Sequence, residues 1–301
     1  MRLGELLNVA AVLEIPDPFI TTSRYRFSSL EALCLLCARL RTAGDQHDLS
    51  VKYSRSQSAI SELVNELTFY LDQRWAHLLA FDPELLSPSA LSEYASAVHA
   101  AGAPLHTIWG FIDCTIRSIC RPSLWQRQAY NGHKKYHALK FQAVMLANGL
   151  FGHLYGPIEG RRHDTVVLTE SHLLDWAQEH AILPGDGPLE CRYLQIFGDP
   201  AYGINQQLIS PFPNGGSTGE QRHWNAEMSS IRIEVEHGFG IVTKTWPFLN
   251  ASWKMQIYHS PIALYYRVGV LLTNVLNCLR PNQVAQYFGC HPPSLEDYLH
   301  H

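Results

Sequence analysis

A chain of 301 residues, 46% hydrophobic and 17% charged, can bury a core large enough for one catalytic domain and a small accessory one. That composition excludes a disordered protein, and a formal net charge of -4 with a pI near 6.5 excludes a chain that holds DNA by overall positive charge. Any nucleic-acid surface must be local.

Seven cysteines, an odd number scattered along the chain, make a poor disulfide framework and point to a reducing compartment. Cys34 and Cys37 form a C-x-x-C inside an amphipathic run with no second pair at zinc spacing, so they read as packing residues. The N-terminus lacks a basic segment followed by an apolar one and a cleavage site, so no secretory signal is expected. Ile262 to Leu279 is apolar but interrupted by Arg267 and two asparagines, which predicts a core helix rather than a membrane span. The chain reads as soluble and intracellular.

Residues 1–103 read as helical. Ser28-Ser29-Leu30-Glu31 resembles a capping box before the run Ala32 to Leu40, and Gly44 would end that helix. His47 to Tyr53 is a second short segment, and Ser54 onward feeds apolar residues at 60, 63, 64 and 67, one helix face. Three such helices fit a helix-turn-helix, with Arg55 as a candidate DNA contact. They fit a plain helical bundle packing on the next domain equally well. Ser87-Pro88 opens a further helix that ends near Gly102.

From Thr107 the pattern changes to strands: Thr107 to Ile112, Thr115 to Cys120, then Ala138 to Leu146 and Leu150 to Tyr155 about the turn Ala147-Asn148-Gly149. Asp164 caps a predicted helix running to about Glu179, and Tyr193 to Phe197 is an apolar strand suited to a sheet interior. After the loop Pro211 to Gly219, Asn225 to about Val242 reads as a helix with Arg232 and Glu236 on one face. Antiparallel strands, a crossover helix and a strand parallel to the first are the order of a ribonuclease H-like core. The expected architecture is therefore α/β, a mixed sheet flanked by helices, behind an all-helical N-terminal region. The boundaries fall at 1–103, 104–255 and a C-terminal helical extension, 256–301, packing on the core.

Two of the apolar runs end in acids, Asp113 and Asp199, and in such a core an acid on the first strand and one after the fourth lie side by side. Glu236 on the later helix is the candidate third member. Oxygen ligands from separate rigid elements suit Mg²⁺ or Mn²⁺ and two-metal phosphodiester cleavage. Each acid also has a plainer reading, Asp113 and Asp199 as strand-end turn residues and Glu236 as a surface partner of Arg232. Glu234 is the rival of Glu236, and residues two apart on a helix face different ways. Asp164 reads at least as well as a helix cap as a fourth acid. Between Asp113 and Glu159 there is no Asp or Glu, while Arg117, Arg121, Arg127, Lys134, Lys135 and Lys140 fall there among Trp125, Tyr130 and Tyr136. That stretch reads as a phosphate-binding strip, against the plainer alternative of a solvated sheet face.

Gly110 to Thr115, Tyr130 to Gln142, Gly160-Arg161-Arg162-His163-Asp164, Gly198 to Tyr202 and Arg232 to Gly240, in that order, together resemble the DDE endonuclease domain of Harbinger-type transposases and their domesticated relatives. The segment after Phe239-Gly240 is less basic here than is usual for such proteins, and Pro200 stands where a small residue is common. The resemblance implies a metal-dependent DNA endonuclease with Asp113, Asp199 and Glu236 as catalytic acids and metal ligands. It further implies a nuclear setting and a separate Myb-like DNA-binding partner, with no membrane and with a homo-oligomer left open. A domesticated DNA- or protein-binding factor that keeps the fold without transposing is the alternative.

Overall fold

The computed structural model describes residues 2–183 and 185–301, apart from the side chains of Cys191, Glu234 and His237. The N-terminal region contains helices α1 (Leu3–Val12), α2 (Ser29–Arg41), α3 (Gln46–Tyr53), α4 (Gln57–Trp75) and α5 (Pro88–Ala100). It is not wholly helical, because Phe19–Ile20 and Arg26–Phe27 pair as a short antiparallel ribbon. Ser28 caps α2 as expected, its hydroxyl accepting from Glu31 N at 3.2 Å. Only half the capping box forms, because the Glu31 carboxylate is taken by Arg55 through Nε and Nη2, both at 2.7 Å.

Helix α4 is the axis of this region. It buries Ile60, Leu63, Val64, Leu67, Leu71 and Trp75 along one stripe and packs against α2, α3 and the late helix α10 (Ile262–Leu279). Arg267, the one charge of α10, meets Asp72 of α4 at 2.6 Å, which lets it sit in an otherwise apolar helix. By length and composition α10 could cross a membrane, yet 67% of it is buried inside this molecule.

The main sheet is built from β1 (Ile108–Ser118), β2 (Tyr136–Leu146), β3 (Phe151–Glu159), β4 (Gln195–Phe197) and β5 (Leu208–Ile209), with a two-residue strand at Tyr130–Asn131 directly after the one-turn helix α6 (Gln126–Ala129). These six strands form one mixed sheet in the order β3-β2-β1-β4-β5, the short strand pairing the start of β2. β1 is antiparallel to β2 and parallel to β4, and β4 is parallel to β5. This is the mixed sheet flanked by helices, with a helical region before it, that a ribonuclease H-like core requires.

Three expectations change in detail. The two short strands expected around Asp113 are one continuous strand, β1, because Asp113 and Cys114 stay in register with Ala143 and Gln142 of β2. The crossover helix expected from Asp164 is two, α7 (Asp164–Glu170) and α8 (Leu173–His180), broken where His172 adopts φ of 54°. The helix expected from Asn225 begins earlier, as α9 (Gly219–Thr245), where Thr218 and Gln221 close a capping box.

The outer edge of β3 is covered at three points. Asn274 of α10 accepts from Phe151 N at 2.9 Å and donates to Phe151 O at 3.0 Å. Ala80 bridges His153, and Arg267 Nη1 donates to Gly156 O at 3.4 Å. Cys34, Cys37, Cys114, Cys120, Cys278 and Cys290 are free thiols.

Candidate active site and its cleft

The parallel pairing Phe111↔Phe197 sets the exit of β4 beside the middle of β1, with Asp113 two residues beyond Phe111 and Asp199 two beyond Phe197. Gly198 makes the close approach possible, since a Cβ there would lie 2.9 Å from both Ile112 Cγ2 and Tyr202 Cδ2. Asp199 caps the turn Pro200–Tyr202 by accepting from Ala201 N at 2.6 Å. Tyr202 is carried inward and its hydroxyl donates to Cys114 Sγ at 3.2 Å.

Asp113 is largely buried. Burial pushes its carboxyl up to about 6, the Cys114 N–H and the Arg232 guanidinium pull it back down, and Asp164 and Asp199 push it further up. Asp199 and Asp164 therefore both bear on Asp113 electrostatically. Asp164 is held separately: its Oδ1 accepts from Lys140 Nζ at 2.6 Å, and Lys140 is 5% exposed. So Asp164 is the first residue of α7 and also the counter-ion of a buried lysine.

Glu236 is not in this group. On α9 the buried stripe is Met228, Ile231, Val235 and Val242, so Arg232 and Glu236 each follow an inward residue and flank the stripe. Arg232 Nε meets Glu236 Oε1 at 3.1 Å, and the glutamate side chain is 55% exposed. The plainer reading of Glu236 as a partner of Arg232 thus describes its contact here. The side chain of its rival Glu234 lies outside the described residues. Among the described residues, no three His, Cys, Asp or Glu side chains are gathered to hold a metal ion. Asp113 and Asp199 offer the hard oxygen donors that suit a divalent cation, and the burial of Asp113 disfavours its anion while no cation is there.

Asp199 and Asp164 open on a cleft of about 670 Å³ whose opposite wall is basic: His133 and Lys134 on one side, Arg161 and Arg162 on another. Asn131 builds that wall. It is buried, its side-chain amide donates to Gly160 O at 2.6 Å, and its Oδ1 accepts from Lys134 N at 2.8 Å. One side chain therefore fixes the Gly132–Lys135 turn to the 160–163 turn.

The basic strip does not act as a unit. Arg121, Arg127, Lys134 and Lys135 are exposed, whereas Lys140 is buried against Asp164 and the Arg117 guanidinium lies over the Tyr266 ring at 5.3 Å. Arg55 is remote in role: its guanidinium is bound to Glu31 and stacks over Phe27 at 4.8 Å. Composition and spacing do not single out Asn131, Arg161 and Arg162 as site residues, although the run Gly160 to Asp164 is a visible signal of them.

The model of one protein family, described as DDE superfamily endonuclease, matches residues 112–274, more than half of the chain. No curated protein and no solved structure matches. The matched span opens one residue before Asp113 and contains Asp199, Glu236 and both walls of the cleft. A nuclease domain of this family implies DNA as the substrate. With its mixed sheet, its neighbouring strand acids and this match, the chain belongs to the DDE superfamily endonucleases.

Proposed function

We propose that this protein is a divalent-metal-dependent DNA endonuclease of Harbinger-type transposase origin, acting through Asp113, Asp199 and Glu236. The observation that carries the reading is the position of Asp113, buried in mid-strand beside Asp199 and next to a cleft walled by basic side chains. Burying a carboxylate among like charges is costly unless a cation is to be received.

In this reading Asp113 and Asp199 hold Mg²⁺ or Mn²⁺ by their carboxylate oxygens, and Glu236 joins them by exchanging its contact with Arg232. Bound there, divalent ions supply two-metal chemistry, lowering the pKa of the attacking water and neutralising the leaving oxygen, so that hydrolysis leaves a 3′-hydroxyl. Arg127, Lys134 and Lys135 hold phosphates along the rim and position the strand without reading its sequence. Asn131 keeps that rim aligned with the acids. Arg55 could contact DNA only by giving up Glu31. A nuclear location and a separate DNA-binding partner fit a chain whose own charge is slightly acidic.

The test is nicking of supercoiled DNA in Mg²⁺ or Mn²⁺ by the wild type and by Asp113→Asn. Cleavage by the wild type alone is expected. Equal cleavage by both, or no cleavage by either with DNA binding retained, would overturn the reading, and the second result would favour a domesticated binding factor.

A further inference from the structure

Behind the basic rim lies a second cavity, of about 400 Å³, that none of the acids touches except Glu159, whose carboxylate is bound to Arg162 at 2.9 Å. Its walls are apolar and aromatic: Leu124 and Trp125 on one side, Ile257 and Tyr258 on the other, Leu139 and Ile158 between them. The aromatic wall faces solvent, for Trp125 is 69% exposed and Tyr258 50%. It is also fixed in place. Trp125 sits at φ of 57° and its carbonyl accepts from Gln128 N and Ala129 N, both at 3.1 Å. The Tyr258 hydroxyl donates to Leu124 O at 3.3 Å, tying the two walls together.

The cavity and the cleft lie on opposite faces of the sheet beside the same edge. On β2, Leu139 lines the cavity and the next residue, Lys140, lines the cleft. At the short edge strand, Ala129 lines the cavity and Asn131 the cleft, and Arg161 N donates to Gln128 O at 3.4 Å across the same edge. Arg127, Lys134 and Lys135 are exposed on this edge segment between the two. A purely apolar partner would leave those cations unused, and an acidic one without flat rings would leave the aromatic wall unused. A nucleic-acid strand uses all three features, since phosphates meet the cations and a base, once unstacked, meets a flat aromatic wall.

We propose that this cavity receives an unstacked nucleobase of the DNA strand whose backbone crosses the Arg127–Lys135 edge into the cleft. The inference rests on the nuclease reading for its substrate. It adds that the protein engages a strand with an unpaired base beside the cut, held by stacking on Trp125 and Tyr258 rather than by base-edge hydrogen bonds. Recognition of this kind tolerates every base, because each has a flat face.

The test is equilibrium binding of a fluorescent oligothymidine, and of an abasic strand of the same length, by the full chain without divalent metal. Nicking of supercoiled DNA is measured alongside it. The wild type should bind the oligothymidine at least about five-fold more tightly than the abasic strand, the loss expected for a single stacked base. Trp125→Ala should abolish that preference, Trp125→Phe should keep most of it, and Trp253→Ala, at an exposed tryptophan outside the cavity, should leave it unchanged. Equal affinity of the wild type for both strands, or a preference that survives Trp125→Ala, overturns the inference. If nicking is intact when that happens, the base pocket alone is wrong. A Trp125-dependent preference without nicking upholds the pocket and removes the nuclease reading.

Discussion

Arg232 spans one turn of α9 to Glu236 at 3.1 Å while its guanidinium also lowers the pKa of Asp113. One cation thus stands between the helix acid and the strand acid. Removing it with Arg232→Gln should raise the Asp113 pKa, because an attractive charge is taken away. The acid limb of the nicking rate against pH should move upward, and Glu236→Gln should instead lower the rate at every pH.

Asp113 also sets a stability prediction. Its ordinary value is 3.8 and burial raises it to about 6. The folded chain therefore binds more protons than the unfolded chain between those values, and this residue's contribution falls as pH rises through the window. Asp113→Asn removes the buried charge and should stabilise the metal-free protein at neutral pH by up to about 3 kcal/mol in urea unfolding. Mn²⁺ should raise the Tm of the wild type and leave that of Asp113→Asn nearly unmoved.

His153 gives the opposite slope. It is buried, stacked on Phe81 at 4.3 Å between ring centroids, and burial lowers its pKa from 6.5 to about 3. The unfolded chain binds the extra proton, so stability present above pH 6.5 is lost as pH falls towards 3, at about 1.4 kcal/mol per pH unit. His153→Phe keeps the stack and should flatten this acid-side loss in urea unfolding measured across that range.

The rim should report itself through salt. Lys134→Ala with Lys135→Ala should weaken binding of unrelated duplexes alike and reduce the slope of log affinity against log salt by roughly 0.9 for each phosphate no longer neutralised. An unchanged slope would show that these lysines do not meet phosphate.

Gly160 holds the cleft wall at close quarters. A Cβ there would lie 2.6 Å from Ala138 O and 2.8 Å from Ala129 O, both backbone atoms. Gly160→Ala should cost about 1–3 kcal/mol of stability and displace the turns that carry Lys134 and Arg161. Urea unfolding measures the first effect and DNA affinity the second.

Much of the scaffold is legible in the sequence because its signals are local. Ser28 and Ser87 cap the helices they precede, and the turn at Asn148-Gly149 joins β2 to β3. The two aspartates are legible because both follow apolar runs that must pair. Asp113 nevertheless reads as a strand end, because an acid usually stops a strand; here Cys114 on the next position packs against Tyr202 and keeps the strand going. The basic stretch is only half legible, because sequence gives adjacency but not face: Lys140 turns inward to Asp164 while Lys134 and Lys135 remain in water. The Arg232–Glu236 contact follows from helical spacing, but no spacing rule says whether that glutamate faces the strands or its neighbour.

The asparagine on α10 that grips both backbone groups of Phe151 has a consequence for assembly. Together with Ala80 at His153, Arg267 at Gly156 and a proline at 157 that has no N–H to offer, it leaves little of β3 as a template for another chain's strand. The opposite border is only Leu208–Ile209. Copies of this protein that come together on a DNA end would therefore have to do so through helices and loops, and the sheet that carries the acids would keep the same strands whether one copy is present or several.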